Sequence, residues 1–212
     1  MYQALHATSR TLADFIENEI NADPYLTGPG PGHPFRERGM HVLLNTPAEM
    51  AVANNPKEGI SLWLYRVVRD EERLNDPATR ISAMQLRPPP LPLRLHYLVT
   101  PVTSRANDGD PDTEQYLLGK VLQLFHSKSQ FRGADLHGEL AGTSGELFVR
   151  LETMSVDEIT RIWDALEGSY QLSVSYEVSL VNIDAALEPE SIMPVLVAQP
   201  EFGLANLVSA GS

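Results

Sequence analysis

The sequence contains no cysteine, which excludes disulfide bonds and thiolate metal sites and fits a reducing compartment. Positive charge is scarce, because 16 lysines and arginines stand against 28 aspartates and glutamates, for a net charge of −12. A surface of this sign repels DNA, RNA and anionic lipid, so we expect no nucleic-acid partner and no membrane insertion. Apolar runs fall short of the ~18 residues that a membrane span needs. The first residues lack the basic and apolar regions of a signal peptide, so we expect a cytoplasmic protein.

Each partial motif for catalysis, metal binding or cofactor binding lacks residues that its chemistry requires. The glycine-rich run 28–32 contains two prolines, which have no N–H to offer a phosphate. The alternating acids from Asp108 to Asp112 lack the glycine and the final glutamate of a calcium loop. Ser144 lacks the second glycine of a nucleophile elbow, and no histidine pair has zinc-helix spacing. The sequence therefore predicts no catalytic residue, no metal site and no cofactor, and it favours a protein that is not an enzyme.

The chain of 212 residues is long enough to bury a sizeable apolar core. Hydrophobic periodicity predicts an α+β domain. The predicted order is helix, strands, helix, strand, helix, strand, which favours a single mostly antiparallel or mixed sheet with helices packed on it. Helical patterns begin at about residue 3, after Asp110 and after Ser155, and strand patterns cover residues 40–45, 60–68, 91–99, 147–151 and 172–180. Thr46 and Ser155 each begin a capping box with a glutamate three residues later.

Two strand patterns carry expectations about burial. Residues 60–68 are apolar on both faces, so we expect a central strand that is covered on both sides. Residues 172–180 alternate apolar side chains with serine and glutamate, which predicts one buried and one solvent-exposed face. Residues 185–212 are punctuated by prolines, and we expect them to form a C-terminal extension, or arm, outside a domain of residues 1–184.

Two segments are candidate interfaces. The charged segment at the end of strand 60–68 and after it contains both signs of charge; its residues are Arg66, Arg69, Glu71, Glu72 and Arg73. It forms either a solvated surface or an ion-pair patch between subunits that favours one docking orientation. The only strand-like run of the arm either adds a strand to the sheet edge of a neighbouring molecule, or folds back or stays unfolded; its residues are Val195, Leu196 and Val197.

Four stretches carry a family resemblance through their order and spacing. They are the N-terminal helix and residues 60–75, 89–119 and 151–184. In the second stretch the matching residues are Leu62, Leu64, Tyr65 and Arg66, followed by Leu74-Asn75. The third contains Pro89-Pro-Leu-Pro-Leu93, Leu95-His-Tyr-Leu-Val-Thr-Pro101 and Glu114 to Gly119, and the fourth contains Ile162-Trp163, Ser173-Val-Ser-Tyr-Glu-Val178 and Val181-Asn-Ile-Asp184. Together they resemble the N-terminal domain of cap, or tail-terminator, proteins of extracellular contractile injection systems, which are phage-tail-like particles.

The resemblance implies a structural protein and brings no catalytic residues. It implies a ring, typically a hexamer, at the end of the particle away from the baseplate, where the ring ends the inner tube and anchors the sheath. The implied partners are further copies of the chain, the inner tube protein and the sheath protein, in a particle that can be released from the cell. The alternative is an assembly chaperone or adaptor for the tube protein that is not retained in the particle.

Overall fold

The computed structural model describes residues 2–27, 34–52, 56–103, 109–184, 186 and 188–191. The helices of this part of the chain are α1 (Ala4–Asn21), α2 (Pro24–Thr27), α3 (Pro34–Glu37), α4 (Pro47–Met50), α5 (Pro111–Ser127) and α6 (Val156–Ala165). The strands are β1 (His41–Leu43), β2 (Gly59–Arg69), β3 (Thr79–Ser82), β4 (Gln85–Arg87), β5 (Leu91–Val102), β6 (Gln130–Arg132), β7 (Glu146–Glu152), β8 (Val174–Ile183) and β9 (Glu190–Ser191). The glycine-rich run 28–32 lies outside the described residues.

A six-stranded mixed sheet forms the centre of the molecule, with the strand order β1-β2-β5-β8-β7-β6. Only β1 and β2 pair in parallel, and the other neighbours are antiparallel. The parallel pair depends on Gly59, whose φ is +136° and whose added Cβ would lie 2.0 Å from the carbonyl oxygen of His41. These elements confirm the predicted α+β class.

A second, smaller sheet was not predicted. Its strand order is β3-β4-β9, and it is antiparallel. Its strands are short and mostly exposed, so they lack the apolar alternation that reveals a strand in a sequence. Residues Glu190–Ser191 of the expected C-terminal extension pair with Gln85 and Leu86.

The apolar core lies between one face of the large sheet and the helices α1 and α5. On β5, Leu95, Tyr97 and Val99 are fully buried, and the Tyr97 hydroxyl lies 2.8 Å from Ser9 Oγ of α1. Four aromatic rings pack edge to face or tilted across this layer: Phe15, Phe125, Phe131 and Tyr176. Burial raises the pKa of Tyr176 to about 12. We call this side of the sheet the core face.

The predicted helix starts are confirmed. Thr46 and Ser155 each form a complete capping box, with Glu49 and Glu158 respectively. Asp110 caps α5, since its carboxylate accepts the N–H of Thr113. These local signals are readable from sequence because they depend on residues within one turn.

Two predictions about burial are wrong. The strand β2 is buried only from Gly59 to Leu62, whereas Arg66, Val67 and Arg69 are exposed. One reason is that β1 pairs only with residues 59–61, so that no strand of the described part of the chain lies beside residues 66–69 on that side. The expected exposed face of β8 is instead covered, with Ser173, Ser175 and Glu177 all less than 9% exposed.

Candidate interface on the polar face of the sheet

The covered polar residues of β8 belong to a row that crosses three strands on the side opposite the core face. His96 is paired with Glu177, Glu177 with Arg150, and Ser175 with Glu152. Directly paired residues of neighbouring strands point to the same face. We call this side the polar face, and its central residues are Arg94, His96, Arg150, Glu152, Ser175 and Glu177.

Arg94 is the centre of one half of the polar face. Its guanidinium lies 2.8 Å from Asp70 Oδ1, 3.1 Å from Glu72 Oε2 and 3.8 Å from Glu177 Oε2. The Asp70 carboxylate, with a side chain only 4% exposed, is the main reason that the pKa of Arg94 is raised. Glu177 is also held by Arg150, at 3.0 Å. Each buried carboxylate therefore has a guanidinium partner, as burial of a charge requires.

His96 and Glu152 form the other half. His96 Nδ1 lies 3.0 Å from Glu152 Oε1, and the hydroxyl of Ser175 donates to Glu152 Oε2 at 2.6 Å. Since the Ser175 proton is used in this way, the Tyr65 hydroxyl donates to Ser175 Oγ at 3.0 Å. Burial alone would raise the pKa of Glu152, but the hydrogen bonds from His96 and Ser175 outweigh it and hold this pKa below its ordinary value. Burial raises the pKa of Tyr65.

His96, Glu152 and Glu177 also have the spacing of a metal site. One ligand atom from each lies within 4.8 Å of the others, and His96 Nε2 is buried without a hydrogen-bond partner among the described residues. However, the guanidinium groups of Arg94 and Arg150 already balance Glu177. A divalent cation here would face two fixed positive charges, so the cluster is better described as an ion-pair network.

Beside this network the polar face opens into a groove of about 480 Å³. Four of the five charged residues that the sequence singled out line it together with Arg94 and Glu177; these four are Arg66, Arg69, Glu71 and Glu72. Arg66, Arg69 and Glu71 are exposed, and they present both signs of charge to the solvent. The charged segment therefore reaches a concave surface that is suited to a charged partner.

Arg73 differs from the other four. Its guanidinium lies 3.0 Å from Asp76 Oδ2 and 3.3 Å from Asn182 Oδ1, and it lines an adjoining groove of about 410 Å³ with Phe148 and Arg150. The other predicted contact residues, Val195, Leu196 and Val197, lie outside the described residues. That any of these eight residues forms an interface stays a prediction.

Sequence reasoning missed the residues that organise the site, namely Asp70, Arg94, His96, Glu152 and Glu177. The alternation along each strand shows only which residues of that strand share a face. What the sequence does not contain is the register between strands, which brings residues as distant as His96 and Glu152 into contact. The polar row was therefore not predictable as a unit.

The sequence model of the Pvc16 N-terminal domain family matches residues 7–196. The chain belongs to the Pvc16 N-terminal domain family. Among curated proteins, no sequence matches this member of the family at a significant level. No helix in the described part of the chain is long and apolar enough to cross a membrane.

Two solved structures share the fold of this Pvc16 N-terminal domain. One is the PVC sheath/tube terminator of an extracellular contractile injection system in its extended state, with a TM-score of 0.53 and 18% identity over 95% of this chain. The other is the anti-feeding prophage cap, a tube terminating cap, with a TM-score of 0.53 and 20% identity over 70% of this chain. The matches span 63% and 51% of the length of these two solved chains.

Proposed function

We propose that this chain is a structural cap of a contractile injection particle. In this role it forms a ring, with hexameric symmetry, on the last ring of the inner tube at the end away from the baseplate, where it ends tube growth and anchors the sheath. The observation that carries the proposal is the family match over residues 7–196. The fold that the chain shares with a sheath/tube terminator and a tube terminating cap supports it.

The two faces of the sheet suit such a role. A terminator must bind the tube on one surface and offer no copy of the tube's own binding surface to a further ring. The core face is covered by α1 and α5 and keeps the fold together. The groove beside the polar face is lined by the exposed residues Arg66, Arg69 and Glu71, and mixed charges favour one docking orientation over others. We propose this groove as a contact for a neighbouring tube, sheath or cap subunit.

The C-terminal arm is a second proposed contact. The family match ends at residue 196, and Val195, Leu196 and Val197 have the composition of a strand that could pair with a sheet edge of another subunit. Deletion of residues 192–212 keeps every helix and strand of the described part of the chain, including β9, and tests this contact. Particles of normal length and sheath stability from this deletion would contradict the proposed role of the arm.

The proposed function is tested by electron microscopy of particles from cells with and without the chain. We expect loss of the chain to give tubes of uncontrolled length or particles with unstable sheaths, and we expect restored length when the wild-type chain is supplied. Particles of unchanged length and sheath state would overturn the proposal. Protein composition of purified particles then separates the cap from an assembly chaperone, because only the cap remains in the finished particle.

A further inference from the structure

Both lateral edges of the large sheet are incompletely covered. At one edge β1 pairs only with residues 59–61 of β2, and at the other β6 pairs only with residues 146–148 of β7. Within the described part of the chain, no strand pairs with the outer side of residues 66–69 or of residues 150–152. Open strand edges offer rows of N–H and C=O groups to another chain.

The direction of the unpaired backbone groups follows from the bonds at each edge. The N–H of Val149 donates outward, to the oxygen of Ser129 at 2.8 Å, and alternation then points the N–H and C=O of Leu151 outward as well. On β2, the N–H of Asp70 donates inward, to the oxygen of Pro92 at 2.9 Å. Because the direction alternates from residue to residue along a strand, the N–H and C=O of Val67, three residues earlier, point outward. Leu151 and Val67 are therefore the residues that can pair with another strand.

We propose that the β7 edge of one copy of the chain pairs with the β2 edge of the next copy, with Leu151 opposite Val67 of the adjoining copy. Three antiparallel steps separate β2 from β7 in one chain, so the two strands run in opposite directions. Copies placed side by side in one orientation then join their sheets by an antiparallel pair. Such a head-to-tail contact closes into a ring when its rotation allows.

The side chains favour this register over its neighbours. Val67 and Leu151 are 44% and 51% exposed, and both point to the core face, since they pair with Leu95 and Tyr176. Their pairing would bury two apolar side chains that the single chain leaves exposed. In the same register Glu152 lies opposite Arg66, and both point to the polar face, since they pair with Ser175 and His96.

Shifting the pair by two residues in either direction is less favourable. One shift places Arg150 opposite Arg66, and like charges directly opposite each other destabilise a sheet. The other places Leu151 opposite Arg69 and leaves Val67 without its apolar partner. The bulge between Leu64 and Arg66 lies outside the proposed pair, so it does not interrupt the contact.

The inference rests on the proposed ring, and cysteine pairing tests it directly. Because the chain has no cysteine, the double variant Val67→Cys, Leu151→Cys contains only the two new thiols. Within one chain, residues 67 and 151 lie three strand spacings apart, or about 14 Å, which is too far for a disulfide. Opposite each other across a hydrogen-bonded pair, their Cα atoms lie about 5.5 Å apart, which is within disulfide range.

Mild oxidation of the purified double variant should give a ladder of covalent multimers on a non-reducing gel. Each single variant should give dimers at most, because it has one thiol per chain. The matched control is Val67→Cys, Arg150→Cys, whose second thiol lies at the same edge but on the polar face. We expect this control to form no ladder. Native mass spectrometry of the wild-type chain measures the ring independently.

Each other result contradicts the inference. A wild-type ring without a ladder in the double variant overturns the edge pairing and leaves the proposed cap intact. Equal ladders in the double variant and the control overturn the register. A ladder that requires deletion of residues 192–212 would mean that the chain's own arm occupies the edge. Neither ring nor ladder would overturn the pairing, whereas the length of particles made without the chain still decides the cap function.

Discussion

The two faces of the large sheet are built from the same strands but are held by different interactions. On the core face, Leu95, Tyr97 and Val99 of β5 pack against α1 and α5, and burial of such side chains supplies most of the stability of a fold. On the polar face, Arg94 of the same strand holds Asp70 in an ion pair, and His96 is hydrogen-bonded to Glu152. Buried ion pairs add little net stability, but they fix geometry and orientation. The core face therefore accounts for stability, whereas recognition by the polar face is our proposal.

The largest expected effect is on the core face. Leu95→Ala removes a fully buried side chain, and we expect it to lower the free energy of unfolding by about 2–5 kcal/mol. Leu91→Ala is the matched control, because Leu91 lies on the same strand and is 45% exposed. We expect a loss of about 0.5 kcal/mol or less for the control in urea unfolding. Equal losses would mean that Leu91 and Leu95 are buried alike, which would contradict the structure.

A smaller loss is expected when the ion pairs of the polar face are broken. Arg94→Met leaves the buried carboxylates of Asp70 and Glu177 with fewer partners, and we expect a loss of about 1–3 kcal/mol in urea unfolding. Because the loss comes from the orphaned charge, the double variant Arg94→Met, Asp70→Asn should be more stable than Arg94→Met alone. A double variant that is less stable than the single one would contradict this explanation.

The pH dependence of stability tests the Glu152 half of the polar face. Hydrogen bonds hold the pKa of Glu152 below its ordinary value of 4.5, so its ionised form stabilises the fold above that pH. This contribution is lost as the pH falls through the lowered pKa. We therefore expect the difference in melting temperature between the wild type and Glu152→Gln to be largest near neutral pH and to shrink below about pH 4.5. A difference in melting temperature that stays constant with pH would show that ionised Glu152 does not stabilise the fold.

The smallest effect on stability is expected at the exposed rim of the groove. Arg69→Glu changes an exposed side chain, and we expect its free energy of unfolding to stay within about 0.5 kcal/mol of the wild type. If the groove is a docking surface, the same change should reduce the incorporation of the chain into particles. Arg36→Glu on α3 is the matched control, since Arg36 is an exposed arginine outside the groove. Equal incorporation of both variants into particles would contradict a docking role of the groove.

The core face was predictable from sequence and the polar face only in part. The apolar alternation of β5 and the capping boxes at Thr46 and Ser155 depend on residues close together in the chain. The exposed half of β2 was not predictable, because its apolar residues do not reveal that β1 pairs with only three of them. The same limit applies to Glu177, whose alternation with apolar residues indicated solvent although two arginines from neighbouring strands cover it.

The charged segment shows which residues of the candidate interface a local sequence pattern can identify and which it cannot. It identified Arg66, Arg69, Glu71 and Glu72, which line one groove, because residues that are close in the chain at the end of a strand stay close in space. It could not show that Arg73 turns toward Asp76 and Asn182. It also could not identify Arg94, which comes from another strand and connects the segment to the sheet.

The most direct test of the proposed cap is the position of the chain on the particle. Particles are assembled with a chain that carries a short peptide tag after Ser212 and are labelled with gold-conjugated antibody for negative-stain electron microscopy. We expect gold at one end of each extended particle, opposite the baseplate. Gold along the shaft, gold at the baseplate, or labelled protein found only apart from the particles would contradict it.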